Sequence, residues 1–186
     1  FGGDTSLDEL VPMVFAIAAA SAGFTGQSIS LAFDRRYGAL KRSGASGVPT
    51  WTIIAGKIIA VLTTVLVQII VLGTIAFLLG WTVSLPGAVL GIVALFIGVT
   101  AFTALGLLLG GTQSSEVVLA VSNLIWFILL GILGWVVYSG HLGSPGLWDL
   151  APSVALASAM TGALHGVIHL TAWMSLLFWT VMAVIG

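Results

Sequence analysis

The sequence predicts an all-α membrane protein, a polytopic helix bundle, on three observations. Of the 186 residues, 59% are hydrophobic and only 6% charged, against about 25% charged in soluble domains, so lipid rather than water must cover most of the surface. The apolar residues fall into continuous runs near the ~20 residues that cross a bilayer, unlike the short alternating segments of a barrel. The basic residues are concentrated: four of the five lie between Arg35 and Arg42, the fifth is Lys57, and none follows. Basic residues are retained on the cytoplasmic side of a membrane, so this stretch is a cytoplasmic loop that orients every other segment. The composition also excludes chemistry. There is no cysteine for a disulfide or a thiolate metal site, and no extended basic face for nucleic acid.

Five spans are expected, at about 10–33, 51–79, 87–109, 117–138 and 167–186. The first enters from outside, leaving Asp4, Asp8 and Glu9 there, and ends at the basic loop. The second returns to the turn around Gly80 and Pro86. The third descends to Gly110–Glu116, the fourth rises to Ser139–Gly166, and the fifth ends in the cytoplasm. An odd count with an outside start predicts one further span before Phe1, for six in the parent architecture. The outer segment at about 145–164 is apolar but interrupted by Pro152, too short on either side to cross, and reads as a pair of short re-entrant helices. Gly-x-x-x-Gly spacings at Gly87/Gly91, Gly106/Gly110 and Gly162/Gly166 allow close helix approach, which is read as packing only.

Candidate chemistry is sparse. Gly56-Lys57 is the nearest approach to a phosphate loop, but Trp51 and Ile58 replace the required Gly and Ser or Thr, so the chain does not hydrolyse nucleotide by itself. His165 and His169 are four apart, which on one helix shares a face; with only His141 in the same segment and no nearby carboxylate or thiolate, they read as interfacial anchors rather than metal ligands. Gln68 with Thr64, and Asn123 with Ser122, are the polar groups within spans. They fit either a substrate path or interhelical hydrogen bonds. No ionisable group lies deep in a span, which argues against a proton- or ion-coupled carrier. Glu116 suits the first turn of the fourth span, where a carboxylate favours the helix dipole.

The basic stretch reads as a short amphipathic helix at about 34–43. Phe33, Tyr37 and Leu40 are spaced i, i+4, i+7 on one stripe, flanked by Arg35, Arg36, Lys41 and Arg42. Gly44 ends it, Ser46-Gly47 turns, and Pro49-Thr50 opens the next helix. Two readings fit: an anchor on anionic lipid, or a peg inserting Tyr37 and Leu40 into a groove on a cytoplasmic partner.

The runs Ala22-Gly23-Phe24-Thr25-Gly26-Gln27, Phe33-Asp34-Arg35-Arg36-Tyr37-Gly38-Ala39-Leu40-Lys41-Arg42-Ser43-Gly44-Ala45, Pro49-Thr50-Trp51 and Gly56-Lys57 together resemble the permease subunit of type-2 ATP-binding-cassette exporters, and within it the actinobacterial drug-exporter-like branch. The short inner loop before Glu116 and the outer helical pair around Pro152 fall where that family has them, so the resemblance spans essentially the whole chain, 1–186, as one transmembrane permease domain. The family's first span and its N-terminal cytoplasmic helix have no counterpart here. The resemblance implies that Asp34, Arg35, Arg36, Tyr37, Gly38, Leu40, Lys41 and Arg42 form a coupling helix docking into a separate ATPase subunit. ATP and Mg would sit on that ATPase, with no cofactor on this chain. A second permease chain, identical or different, would complete a bacterial inner-membrane exporter for a hydrophobic or amphipathic substrate. By the same analogy Gln27, Gln68, Asn123, Trp126 and Phe127 border the path. Two other readings stay open: a non-transporting subunit that recruits a cytoplasmic partner, and a haem- or lipid-handling membrane protein using His141, His165 and His169.

Overall fold

The computed structural model describes residues 6–185, and the side chains of all of these except 43, 50, 53 and 54; Asp4, expected outside, lies beyond the described residues. Among the described residues the regular structure is all helical. Helix α1 (Leu7–Arg36) leads through the short α2 (Ala39–Ala45) to α3 (Thr50–Leu78), α4 (Leu85–Thr112) and α5 (Ser115–Tyr138). A single 3-10 turn (Leu147–Leu150), α6 (Pro152–Leu164) and α7 (Leu170–Ile185) follow. Among the described residues, four helices are long and apolar enough to cross a membrane: α1, the Ala55–Leu78 portion of α3, α4 and α5. The fifth expected span falls on α7, described over 16 residues, about 24 Å at 1.5 Å each.

Sequence explains where these helices begin. Ser84 accepts from the Gly87 N–H, with Pro86 in the first turn of α4. Ser114 accepts from the Val117 N–H, with Glu116 in the first turn of α5. Both are N-caps that supply an acceptor to otherwise unpaired donors. Helix α1 runs for 30 residues, about 45 Å, so it cannot fit wholly within hydrocarbon. Midway, Ala20–Thr25 winds as a π-helical turn, in which each N–H reaches one residue further back than in an α-helix.

Helix α4 is the axis of the bundle. It packs on α1, α6 and α7, and its contacts run along glycines. A Cβ at Gly106 would stand 2.5 Å from the Phe24 carbonyl oxygen, and one at Gly110 would overlap the Ser28 carbonyl. Only glycine lets the two backbones approach this closely. At the next level Gly98 makes room for Leu156 of α6. Two of the three Gly-x-x-x-Gly spacings thus serve α4: Gly106/Gly110 faces α1, while Gly87/Gly91 faces Leu164.

The outer segment is a 3-10 turn and one helix rather than two helices, and α6 is the most enclosed element. Pro152 through Met160 are all buried, as are Gly162 and Ala163, between α1, α4, α5 and α7. Its Ala- and Ser-rich sequence lets neighbours close on every side. Its own serines find partners on other elements: Ser153 Oγ donates to the Leu129 carbonyl at 3.1 Å, and Ser158 Oγ accepts from the Gly143 N–H at 3.3 Å. By contrast α3 is the least buried of the long helices and packs mainly on α1.

Gly110→Leu forces a side chain into the Ser28 carbonyl and should cost at least about 1–3 kcal/mol, lowering the unfolding temperature of the detergent-solubilised chain by several degrees. Gly131→Leu on α5, where a Cβ would meet nothing within 4 Å, should leave that temperature essentially unchanged.

Candidate functional site

The basic stretch forms the end of α1 and the turn into α2. It is not one helix. Helix α1 continues through Arg36, the Tyr37 N–H bonds to the Phe33 carbonyl, and Gly38 then adopts a left-handed φ of 65°. A residue in that conformation ends helices, and glycine adopts it without Cβ strain. Helix α2 starts from Gly38, whose carbonyl accepts the Arg42 N–H at 3.0 Å. The expected stripe is therefore divided. Phe33 and Tyr37 still stack, with centroids 5.9 Å apart, but Leu40 sits beyond the break. Tyr37 is 62% exposed, Lys41 and Arg42 are exposed, and Leu40 is half-buried.

Three consecutive side chains at the end of α1 each grip a different long helix. Asp34 pairs with Lys57 of α3 at 2.7 Å, and Lys57 also donates to Ser30 Oγ at 2.9 Å. Arg35 donates to the Gly110 and Gln113 carbonyls at 2.8 and 3.2 Å, at the C-terminal end of α4, where unpaired carbonyls and the helix dipole attract a cation. Arg36 donates to Ser115 Oγ at 3.1 Å and to Glu116, both in the first turn of α5. Glu116 thus sits in the first turn of α5, where a carboxylate suits the helix dipole, and also receives Arg36. A cleft of about 410 Å³ lies beside these groups, lined by Ala32, Arg35, Arg36, Gln113, Ser115 and Glu116 among others. Deeper in the bundle the Ser28 and Ser122 hydroxyls, both fully buried, meet at 2.7 Å and add a second α1–α5 tie.

The other candidate residues are dispersed. Gln68 Nε2 lies 3.5 Å from the Ala18 carbonyl and faces α1. Gln27 is half-buried. Asn123 is exposed and folds its amide back to the Leu119 carbonyl at 2.8 Å. Phe127 is exposed, and its ring meets Trp126 edge-on at 5.1 Å. The Trp126 indole N–H is buried without a hydrogen-bond partner.

The histidines sit on separate elements. His165 follows α6 and bonds the Thr161 carbonyl through Nδ1 at 2.8 Å, while His169 lies against Gly162 beyond a turn at Gly166, whose φ is 71°. The left-handed turn removes the shared helical face that their spacing implied. His141 bonds Ser139. Among the described residues no group of three or more His, Cys, Asp or Glu could hold a metal ion.

The Asp34–Lys57 pair is the most sheltered of these grips, with the Lys57 side chain only 14% exposed. Lys57→Met should destabilise by about 1–2 kcal/mol, between an exposed and a fully buried pair. Thermal unfolding of the double exchange Asp34→Lys with Lys57→Asp should recover part of that loss; no recovery would mean that the pair does not tie α3 to α1.

The chain matches the family model described as ABC-2 type transporter over residues 2–169, from before α1 to the residue preceding α7. No curated protein and no solved structure matches it. The match takes in all four long helices, the basic turn and the enclosed α6. The chain belongs to the ABC-2 type transporter family, as a multi-pass, non-catalytic membrane component of a transporter.

Proposed function

We propose that this chain is the permease of an exporter, in the actinobacterial drug-exporter-like branch, energised by a separate ATPase subunit that docks on the Tyr37–Ala45 turn. The observation that carries this is a solvent-exposed aromatic on a turn whose base is tied to α3, α4 and α5 at once. Tyr37 and Leu40 are the anchors, with Lys41 and Arg42 at the rim. Gly38 sets the turn that presents them. Asp34, Arg35 and Arg36 are engaged inside the chain, so their role is to pass a push on the turn into the other helices.

The basic turn lies on the cytoplasmic side of a bacterial inner membrane by the retention of basic residues there, and α7 runs back toward that side. ATP and Mg belong to the ATPase, and this chain holds no cofactor. A second permease chain, identical or different, completes the path. Asn123 and Phe127, exposed on α5, and the neighbouring Trp126 face that partner or the substrate. Gln27 and Gln68 lie on the α1 side. The walls are mainly apolar, which suits a hydrophobic or amphipathic substrate moved outward.

Co-purification with the ATPase encoded beside this chain tests the reading. Tyr37→Ala and Leu40→Asp should each weaken docking by about 2 kcal/mol, some 30-fold, with membrane insertion intact. Arg36→Ala should keep the ATPase bound while lowering substrate-stimulated ATP hydrolysis. Undiminished docking of both Tyr37→Ala and Leu40→Asp would remove the turn as the docking site.

A further inference from the structure

We propose that the groove between the Leu147–Leu150 turn and α7 binds a protonated amine carried on an apolar body, with Asp149 as its anionic acceptor. This groove lies at the end of α5 opposite the basic turn, because Arg36 grips the first turn of α5 while Leu147–Leu150 follows its last. Its volume is about 400 Å³, and Asp149, Leu150, Thr171, Met174, Ser175 and Phe178 are among its walls.

Asp149 is 4% exposed. Its Oδ2 accepts from Thr171 Oγ at 2.6 Å, while its Oδ1 is buried with no hydrogen-bond partner. One turn along α7, Ser175 is 9% exposed and its Oγ is likewise buried and unpartnered. A buried carboxylate oxygen without a donor is costly, and such groups are rarely left unpaired. The Lys and Arg side chains are confined to residues 35–57, and among the described residues no cationic side chain pairs with Asp149. A hard metal ion would need six or more oxygen ligands, whereas this wall supplies a carboxylate and two hydroxyls among apolar side chains. An ammonium group fits better: it carries the N–H donors that Asp149 Oδ1 and Ser175 Oγ lack. An attached apolar body then covers Leu150, Met174 and Phe178, which are 61%, 61% and 54% exposed. The carboxylate–ammonium contact is a charge-assisted hydrogen bond, stronger than a neutral one. Binding here requires no ATPase, so its failure would leave the docking reading untouched.

The test uses the full chain in phosphatidylcholine nanodiscs and equilibrium binding of radiolabelled dodecylammonium. Saturable binding is expected, weakened about tenfold or more by Asp149→Asn and a few-fold by Ser175→Ala. Dodecyltrimethylammonium, which has no N–H donor, should bind more weakly than dodecylammonium. Unsaturable uptake, or equal affinity of the native chain and Asp149→Asn, would overturn the site. If Asp149→Asn does not fold, Met174→Trp fills the groove and keeps the carboxylate; undiminished binding by that variant would also overturn it. Given Asp149-dependent binding, replacing the lipid with phosphatidylethanolamine identifies the source of the amine. Displacement of the probe supports a lipid headgroup as occupant, and retention supports a free amphiphile.

Discussion

The close approach of α1 and α4 is the contact on which the remaining arrangement rests. In lipid there is little hydrophobic drive to bring apolar helices together, so association depends on packing and on polar ties. At Gly106 and Gly110 the two backbones meet with no side chain between them. That contact places the C-terminal carbonyls of α4 within reach of Arg35 and leaves Ser28 facing Ser122. Gly98, further along α4, admits Leu156 and so seats α6. Small residues therefore set both the position of the basic end and the enclosure of the short helix.

Much of this was legible before any coordinates. Continuous apolar runs located the four long helices to within a few residues, and the isolation of the basic residues marked the stretch where the ties converge. The errors have local causes. Phe33, Tyr37 and Leu40 have helical spacing, but Gly38 sits among them and its left-handed conformation outweighs the periodicity. His165 and His169 share a face only if Gly166 is helical, and it is not. Pro152 opens α6 at its first position, where proline costs a helix nothing, so it separates a 3-10 turn from one helix instead of dividing two.

What stayed hidden was three-dimensional. Nothing in sequence spacing joins Asp34 to Lys57, Arg35 to Gly110 or Arg36 to Ser115, and a count of basic residues assigns all of them to one surface. Polarity likewise marked Ser122 and Asn123 together, yet one residue is about 100° of helix rotation. Ser122 is buried against Ser28 and Asn123 points outward. Asp149 carried no motif; its interest arises from burial and from the oxygen that lacks a donor.

The π-helical turn at Ala20–Thr25 bears on which length changes the chain can inherit. Relative to a regular α-helix it accommodates one residue more. Loss of a single residue within it would restore a regular α-helix and keep the faces on either side in register. Loss of one residue from the regular turns that follow would instead rotate everything beyond it by about 100°. A one-codon deletion between Gly26 and Phe33 would thus take Asp34, Arg35 and Arg36 from their partners on α3, α4 and α5 in a single event, whereas the same deletion within the π-helical turn would leave those ties in place. Length should accordingly be held more strictly in descent in the regular part of α1 than in its π-helical turn.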